Sequence, residues 1–599
     1  MRTKLKLCVG GLLAFFASVL LAADRTYQNA GGDLASTDSE DWGGTAPGPS
    51  DVAIINKTGT YTLSDDVTFG RLRVRATGCA FNFSGRKMFA PLFVDSVENA
   101  QNVFRGGFHD IRLGEFRPAY NAKGINTLFT DGCVITNTKT FYAARDCSNA
   151  KTEIAGGTKV YTATMRILDG GGSAYGCDNT LEIYDGGQLY VTNRIYSESN
   201  LPAVTDETSR GGQCLIVRGA GSVLHDNTPG SSYLAAIGYQ RGSCTFHFAD
   251  NAYAYFRTGV HLGNGDNSLL VENCATCNLV RVNFQSSGNV VSVSNAVLNC
   301  SRVTAGNPLF VYGAAASNNL FRVYGPGASV TLGVNTGDFF GESNSGYNTV
   351  SFEGGASWGF DGNRTKMMAR THHSIFRITG ERTTVGSTGR QFYIGDTTVD
   401  SSEVATISSV SNRLEVLDGA TFNARRLPVM GVANTVCISN ATVNIGGNAD
   451  VVGLRVGYNV PNGYSNSTNC VLVLQGTTPK VEINSAAVDN GACWFSNGAT
   501  LRFEIPKEGY ADGYVPLTTN SKFLMDDEAS KLEIDCAEFV AKTGGKLHLI
   551  HAEGGITAAS KTRLAACAST LPERCTLIVE DKDVYLKSPR VIGFVLTYR

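Results

Sequence analysis

Residues 179–191 read NTLEIYDGGQLYV. Leu181 and Ile183 alternate with polar neighbours, and Leu189 and Val191 repeat the alternation after a small-residue corner. A period of two places residues i and i+2 on one face of an extended strand. Glycine permits the positive φ or the close packing that a sharp corner needs. The stretch therefore predicts two short strands with Leu181, Ile183, Leu189 and Val191 in a core. Gly186 and Gly187 belong to the turn, and Asn179 belongs to a ladder of amides stacked from coil to coil.

The pattern recurs as Asn-x-h-x-h-x-x-Gly-(Gly/Ala)-x-h-x-h, where h is apolar. NRLEVLDGATFNA at 412–424 and NTVSFEGGASWGF at 348–360 match it closely. Further copies start at Asn149, Gln213, Cys244, Asn267, Asn289, Asn319, Asn434 and Asn469, with more divergent ones at Asn126 and His373. A third strand of the form h-x-h-Gly precedes several copies, as in LAAIG, VHLG, FYIG and LRVG. One unit is thus strand, corner, strand, loop, strand, turn. The spacing of the copies varies widely. A β-solenoid tolerates this because loop closure costs grow slowly with length, whereas helical repeats keep a tight period.

Composition agrees. Glycine numbers 68 and proline 15, while charged residues are 17% of 599, below the usual ~25%. That favours many corners over long charged helices. The formal charge is −2, and no basic face points to nucleic acid. MRTKLK followed by LCVGGLLAFFASVLLAA reads as a secretory signal peptide, ending at Ala22 or Ala23. It would take Arg2, Lys4 and Lys6 with it, and no integral membrane segment is expected in the mature chain. The expected organisation is a signal peptide at 1–23, an N-terminal cap with first coils at 24–75, β-helix repeats at 76–505, and a small β-rich C-terminal cap at 506–599. The last segment is expected to hold a short helix in KTRLAACASTL and a hairpin in CTLIVEDKDVYLK. The cysteines, 16 in all, are read as small core or corner residues with one or two disulfides among them.

The units NRLEVLDGATFNA and GQCLIVRGAGSVLHDNTPGSSYLAAIGYQRGSCTFHFADNA, and the entry DWGGTAPGPSDVAIIN, resemble autotransporter-type passenger repeats of bacterial secreted proteins. The resemblance covers about three quarters of the chain. It implies an all-β, right-handed parallel β-helix and export to the cell surface or beyond. It does not imply one function, since such passengers include adhesins, structural layers and carriers of enzymes. No membrane barrel of many ~10-residue strands is expected here.

No catalytic constellation emerges. A glycosidase needs two carboxylates held across a sugar. Glu182 is a candidate, but the equivalent position of the next unit is Ile216. The N-T-D, D-D and G-H-G elements of polygalacturonase-like enzymes are missing. Asp185 and Asp418 read as corner residues, and the acids of MDDEAS (526–528) as a solvated turn. GNGDNS (263–268) reads as a turn rather than a calcium repeat. The C-x-x-C of Cys274 and Cys277 lacks a second pair for zinc. His372 and His373, adjacent on a strand, are expected on opposite faces. No cofactor and no metal is therefore expected. Tyr184, Tyr190 and Tyr324 are expected to face outward, in a cross-coil ladder in preference to a sugar platform. The resulting expectation is an exported noncatalytic β-solenoid with a structural or adhesive role, whose partner is extracellular polysaccharide or a cell surface. The alternative is a polysaccharide lyase or glycoside hydrolase with its site in an irregular loop such as 192–212 or 396–411.

Overall fold

The computed structural model describes residues 22–94, 98–111, 115–169, 178–199, 211–229, 235–238, 242–300, 317–332, 337–339, 346–360, 364–367, 372–395, 409–446, 453–458, 467–484, 493–540, 545–568, 571 and 575–588. The chain is all-β with long parallel sheets, as the period-two alternation predicts. It divides into two compact units, Met1–Pro229 and Gly230–Arg599. The segment read as a signal peptide lies almost wholly outside the described residues.

In the first unit one row of parallel strands runs from Thr60–Thr62 through Cys79–Asn82, Gln101–Arg105, Asn126–Thr130, Lys151–Ile154 and Thr180–Ile183 to Cys214–Arg218. A second row includes Val134–Arg145, Lys159–Asp169 and Gln188–Ser199. Register breaks at Asn137/Thr140 and Thr162/Thr164 let these long strands bend, as bulges do, into a third row. That third row begins with Asp24–Tyr27, Val52–Ile55, Arg71–Val74 and Leu92–Val94. The chain thus enters the sheet at Asp24, at the very start of the expected N-terminal cap. The second unit repeats the plan: Ser268–Glu272, Val290–Ser294, Leu320–Tyr324, Thr349–Glu353, Ile375–Thr379 and Arg413–Leu417 pair in parallel, each with the next.

The inward alternation is borne out. Leu181, Ile183, Leu189 and Val191 are all fully buried. In the first unit the inward aromatics stack from coil to coil, Tyr61 on Phe81 at 5.3 Å, Phe81 on Phe104 at 4.5 Å and Phe104 on Phe129 at 5.0 Å. Trp42, also buried, packs edge-on against Tyr27 at 4.9 Å.

The corner differs in detail from its sequence reading. Asp185 and Gly186 are the two left-handed residues, at φ 50° and 73°, and the Gly187 N–H closes the turn on the Tyr184 carbonyl at 2.9 Å. Asp tolerates this conformation better than most side chains, and Asp418–Gly419 repeats it at φ 53° and 82°. Gly187 has an ordinary φ. It is glycine because a Cβ there would lie 2.2 Å from the Ile154 carbonyl oxygen of the preceding coil.

The amide ladder is present, and its residues are not the left-handed ones. Asn267, Asn289, Asn319, Asn348, Asn412 and Asn434 are buried. The N–H of Asn267 donates to Asn289 Oδ1 at 3.0 Å, that of Asn289 to Asn319 Oδ1 at 2.9 Å, and that of Asn319 to Asn348 Oδ1 at 2.9 Å. Ser374 substitutes for one rung, accepting from Asn348 N–H at 3.3 Å and donating its own N–H to Asn412 Oδ1 at 2.9 Å. Each side chain satisfies a buried donor on the coil before it, which a bent backbone cannot pair by itself. The left-handed residue stands one place earlier: Asn149, Asn318, His373 and Asn469, at φ 52–55°. Four starts read from sequence therefore shift by one: the copy at Asn126 begins one residue earlier, at Ile125, and three others begin one residue later. The ladder positions are Ala150, Ser374 and Cys470, in place of Asn149, His373 and Asn469.

Within residues 506–599 parallel pairing continues through Leu517–Thr519, Phe523–Met525 and Lys531–Asp535. Antiparallel pairs join Lys546–Ala552 to Asp583–Lys587, and Asp583–Lys587 to Thr576–Val579. The expected short helix is Ala558–Cys567, N-capped by Thr557. The thirteen cysteines whose side chains are described are free thiols, so the expected disulfides are not formed among them. Burial pushes Cys133 up to about 12 and Cys470 to about 11, which keeps these thiols protonated and inert.

Candidate functional site

The outward face of the first row carries a carboxylate pair that the sequence reading missed. Glu182 does pair with Ile216 on the following coil, as expected. On the preceding coil, however, its partner is Glu153. Both side chains are largely buried, so two carboxylates lie on adjacent strands about 4.8 Å apart. Lys151 Nζ bridges them, 2.8 Å from Glu153 Oε1 and 2.6 Å from Glu182 Oε2, and Arg218 Nε sits 2.5 Å from Glu182 Oε1. Burial pushes the Glu182 pKa up, but the hydrogen bonds from Lys151 and Arg218 outweigh it and the net shift is downward. A general acid for glycoside cleavage needs the opposite shift. Glu182 is held in its ionised form, and both carboxylates are bonded within the sheet.

The same economy recurs in the second unit. Arg322 pairs with Glu353 at 2.6 Å, and Arg377 and Arg413 both hold Glu415, at 2.7 and 3.1 Å. A groove of about 840 Å³ lies between the strand Lys531–Asp535 and the helix Ala558–Cys567, and its Arg502 and Glu533 are likewise paired at 2.6 Å.

If Lys151 holds the pair, Lys151→Met should destabilise the chain by roughly 1–2 kcal/mol, less than for a fully buried pair because the lysine is 39% exposed. A depressed carboxyl pKa contributes stability above the unfolded-state pKa, and that contribution is lost as pH falls through the folded value. Removing the lysine should move this acid-side loss to higher pH. Thermal unfolding of both proteins between pH 7 and pH 3 measures it, and superimposable profiles would rule the bridge out.

The aromatics expected outward are outward and already engaged. Tyr190 stacks on Tyr161 at 4.9 Å and lies 5.9 Å from the His225 ring. Arg218 covers Tyr184 at 5.1 Å and Arg322 covers Tyr324 at 4.4 Å. A more extended feature lies on the third row of the first unit. Arg73 pairs with Phe93, Phe93 with Arg117, Tyr142 with Arg166 and Arg166 with Tyr196. Arg117 lies 4.7 Å from the Phe93 ring and 5.6 Å from Tyr142. Arg166 lies 5.6 and 5.7 Å from Tyr142 and Tyr196, and Arg194 is 4.9 Å from Tyr196. Cation–π contact favours each neighbour in such a column. Glu115 reaches Arg117 and, at 3.1 Å, Arg145. Burial lowers the Arg117 pKa, with the Arg145 charge as the next cause. The second unit has a shorter counterpart, with Arg455 4.5 Å from Tyr458 and 5.0 Å from Trp494.

Other sequence candidates resolve locally. Asp527 accepts from Gly498 N–H at 2.8 Å and from the Ser530 hydroxyl at 3.1 Å, a turn role. Asn267 of GNGDNS belongs to the ladder. Cys274 is exposed and Cys277 buried, so they form no shared thiol site. His372 and His373 do not diverge as expected: the left-handed backbone at His373 turns its ring back, and the two Nδ1 atoms lie 3.3 Å apart beside Tyr347. Of the two irregular loops, 200–210 and 396–408 lie outside the described residues. No helix among the described residues is long and apolar enough to cross a membrane.

No protein-family model matches the chain, and no curated protein or solved structure matches it significantly.

Proposed function

We propose that the chain is an exported, noncatalytic β-solenoid with a structural or adhesive role at the cell surface or outside the cell, and that it holds acidic polysaccharide along the arginine–aromatic strip of its first unit. The right-handed sense is the one that parallel crossovers overwhelmingly take. The segment around Trp42 and the helix and hairpin after residue 545 serve as caps, closing strand edges that would otherwise invite aggregation. The basic, apolar leader supports export. The observation that carries the reading is the contrast between faces: carboxylates in register are locked by lysine and arginine, whereas the third row of the first unit alternates arginines with aromatic rings from coil to coil, Arg117 against Phe93 and Arg166 between Tyr142 and Tyr196. Guanidinium groups in such a row match carboxylate or sulfate groups repeated along a chain.

The test is retention of the full chain on polygalacturonate, on a sulfated glycan and on a neutral glucan, at increasing salt. Salt-sensitive retention on the anionic polymers only, reduced several-fold by Arg166→Gln with Arg194→Gln, is expected. No retention on any polymer removes the glycan from the proposal. New reducing ends or unsaturated products that vanish in Glu153→Gln or Glu182→Gln would instead establish the lyase or hydrolase alternative.

A further inference from the structure

The strand Lys546–Ala552 pairs antiparallel with Asp583–Lys587 through one irregularity. His548 stands opposite Tyr585, Ile550 opposite Val584 and His551 opposite Asp583, with a break in register between His548 and Ile550. On a regular strand His548 and His551, three apart, would face opposite sides. The bulge inserts one residue, so that Leu549 and Ile550 are both buried and the two histidines emerge on the same side. Their ring nitrogens converge on one carboxylate oxygen. His548 Nε2 lies 2.8 Å and His551 Nδ1 2.7 Å from Asp583 Oδ1, and the three donor atoms all lie within 4.8 Å of one another. The side chains are 22%, 35% and 21% exposed, close enough to solvent to load and covered enough to hold.

We infer that His548, His551 and Asp583 form a binding site for a divalent transition metal of the zinc class. Two imidazole nitrogens and a carboxylate oxygen are the donors such an ion takes at about 2.0–2.2 Å, and three protein ligands leave a fourth position for water. Tetrahedral donors at those bond lengths stand about 3.3 Å apart, so the cluster needs to open by about half an ångström.

The surrounding residues do what outer partners of metal-bound histidines do. The other nitrogen of His551, Nε2, lies 3.3 Å from Glu553 Oε2, so its N–H can donate there while Nδ1 faces the ion. Lys582 Nζ holds Glu553 Oε1 at 2.7 Å. The His548 ring is fixed by stacking on Tyr585, centroids 4.4 Å apart. Lys546 Nζ lies over the Tyr585 ring at 3.6 Å, and Glu580 draws it aside at 3.6 Å. His548 Nε2 also lies 3.0 Å from the Ile550 carbonyl oxygen, and metal binding would replace that hydrogen bond by coordination. The ion would tie the two antiparallel strands together across the bulge.

The test uses the full chain, stripped with a chelator and titrated with zinc chloride alone by calorimetry, and with cobalt(II) by absorption spectroscopy. The expected results are one ion per chain, cobalt bands of a four- or five-coordinate N/O site, and a rise in unfolding temperature with zinc. His548→Ala, or His551→Ala with Asp583→Asn, should abolish all three while leaving the far-ultraviolet β signal of the metal-free chain unchanged. Glu553→Gln should weaken binding about 10–100-fold with the cobalt spectrum retained. Absence of binding, or undiminished binding in His548→Ala with His551→Ala, overturns the site; the latter outcome would place the ion elsewhere, such as at His372 and His373 or at thiols.

Discussion

Phe104→Ala is expected to cost about 3–5 kcal/mol, the largest single loss available to an aromatic core position. Phe104 is fully buried. Its ring lies flat between Phe81 and Phe129, with interplanar angles of 6° and 19°. Truncation removes the ring's transfer free energy, leaves a cavity between strands held in register, and ends two stacking contacts worth roughly 0.5–1.5 kcal/mol each. Backbone pairing to Cys79–Asn82 and Asn126–Thr130 keeps the walls from collapsing into the gap. Phe104→Leu fills most of the volume and should cost less than half as much. Repeat arrays need not unfold in one step, so the measurement should be local. Hydrogen exchange at the amides of those strands, and fluorescence of the buried Trp42 in the same unit, report it. Protection unchanged from the parent would refute the stacked core.

The second large effect is expected at the amide ladder. Asn319→Leu keeps the branched side-chain shape but leaves the Asn289 N–H with no acceptor and removes the Nδ2–H donated to Asn348 Oδ1 at 3.1 Å. A buried donor left unpaired costs about 1–3 kcal/mol, and the lost amide bond adds about 1, so a total of about 2–4 kcal/mol is expected. Asn319→Ser should be milder, because Ser374 already fills one rung of this ladder. Chemical unfolding monitored through Trp358, in the same unit, checks both. Equal losses for leucine and serine would show that the side chain fills space and does not cap a backbone donor.

The ladder also shows how far a sequence can be read. Alternation within a strand is a local property, so Leu181, Ile183, Leu189 and Val191 were legible without any partner. Asn at the start of most copies was legible too, but not which Asn. The residue that turns the corner in the left-handed conformation and the residue that caps the preceding coil stand side by side, and asparagine suits both roles. Where both are asparagine, as at Asn318 and Asn319, either choice looks right. Where the ladder position is held by Ala150, Ser374 or Cys470, the more familiar Asn149, His373 or Asn469 draws the eye one place too early.

The outward surface was much less legible. Glu153 and Glu182 come into register only because the loop between their strands closes one full coil. Arg73, Phe93, Arg117, Tyr142, Arg166 and Tyr196 come from segments of unequal length separated by loops of unequal length, so no fixed spacing announces their column. His548 and His551 share a side only because a bulge adds a residue between them, and a strict period of two assigns them to opposite faces. His372 and His373 meet for a related reason, since a left-handed residue ends the alternation.

Two kinds of information are separated here. By itself the sequence determined the strands, their inward faces, the tight corners and the parallel all-β class, because each depends on the conformational preferences and apolar periodicity of a few neighbouring residues. Only the tertiary structure decided which outward residues meet: the locked carboxylates, the arginine–aromatic strip and the histidine–aspartate cluster. Those meetings depend on register between strands brought together by loop closure and bulges, and loop closure is insensitive enough to length that many registers fit the same string of strands.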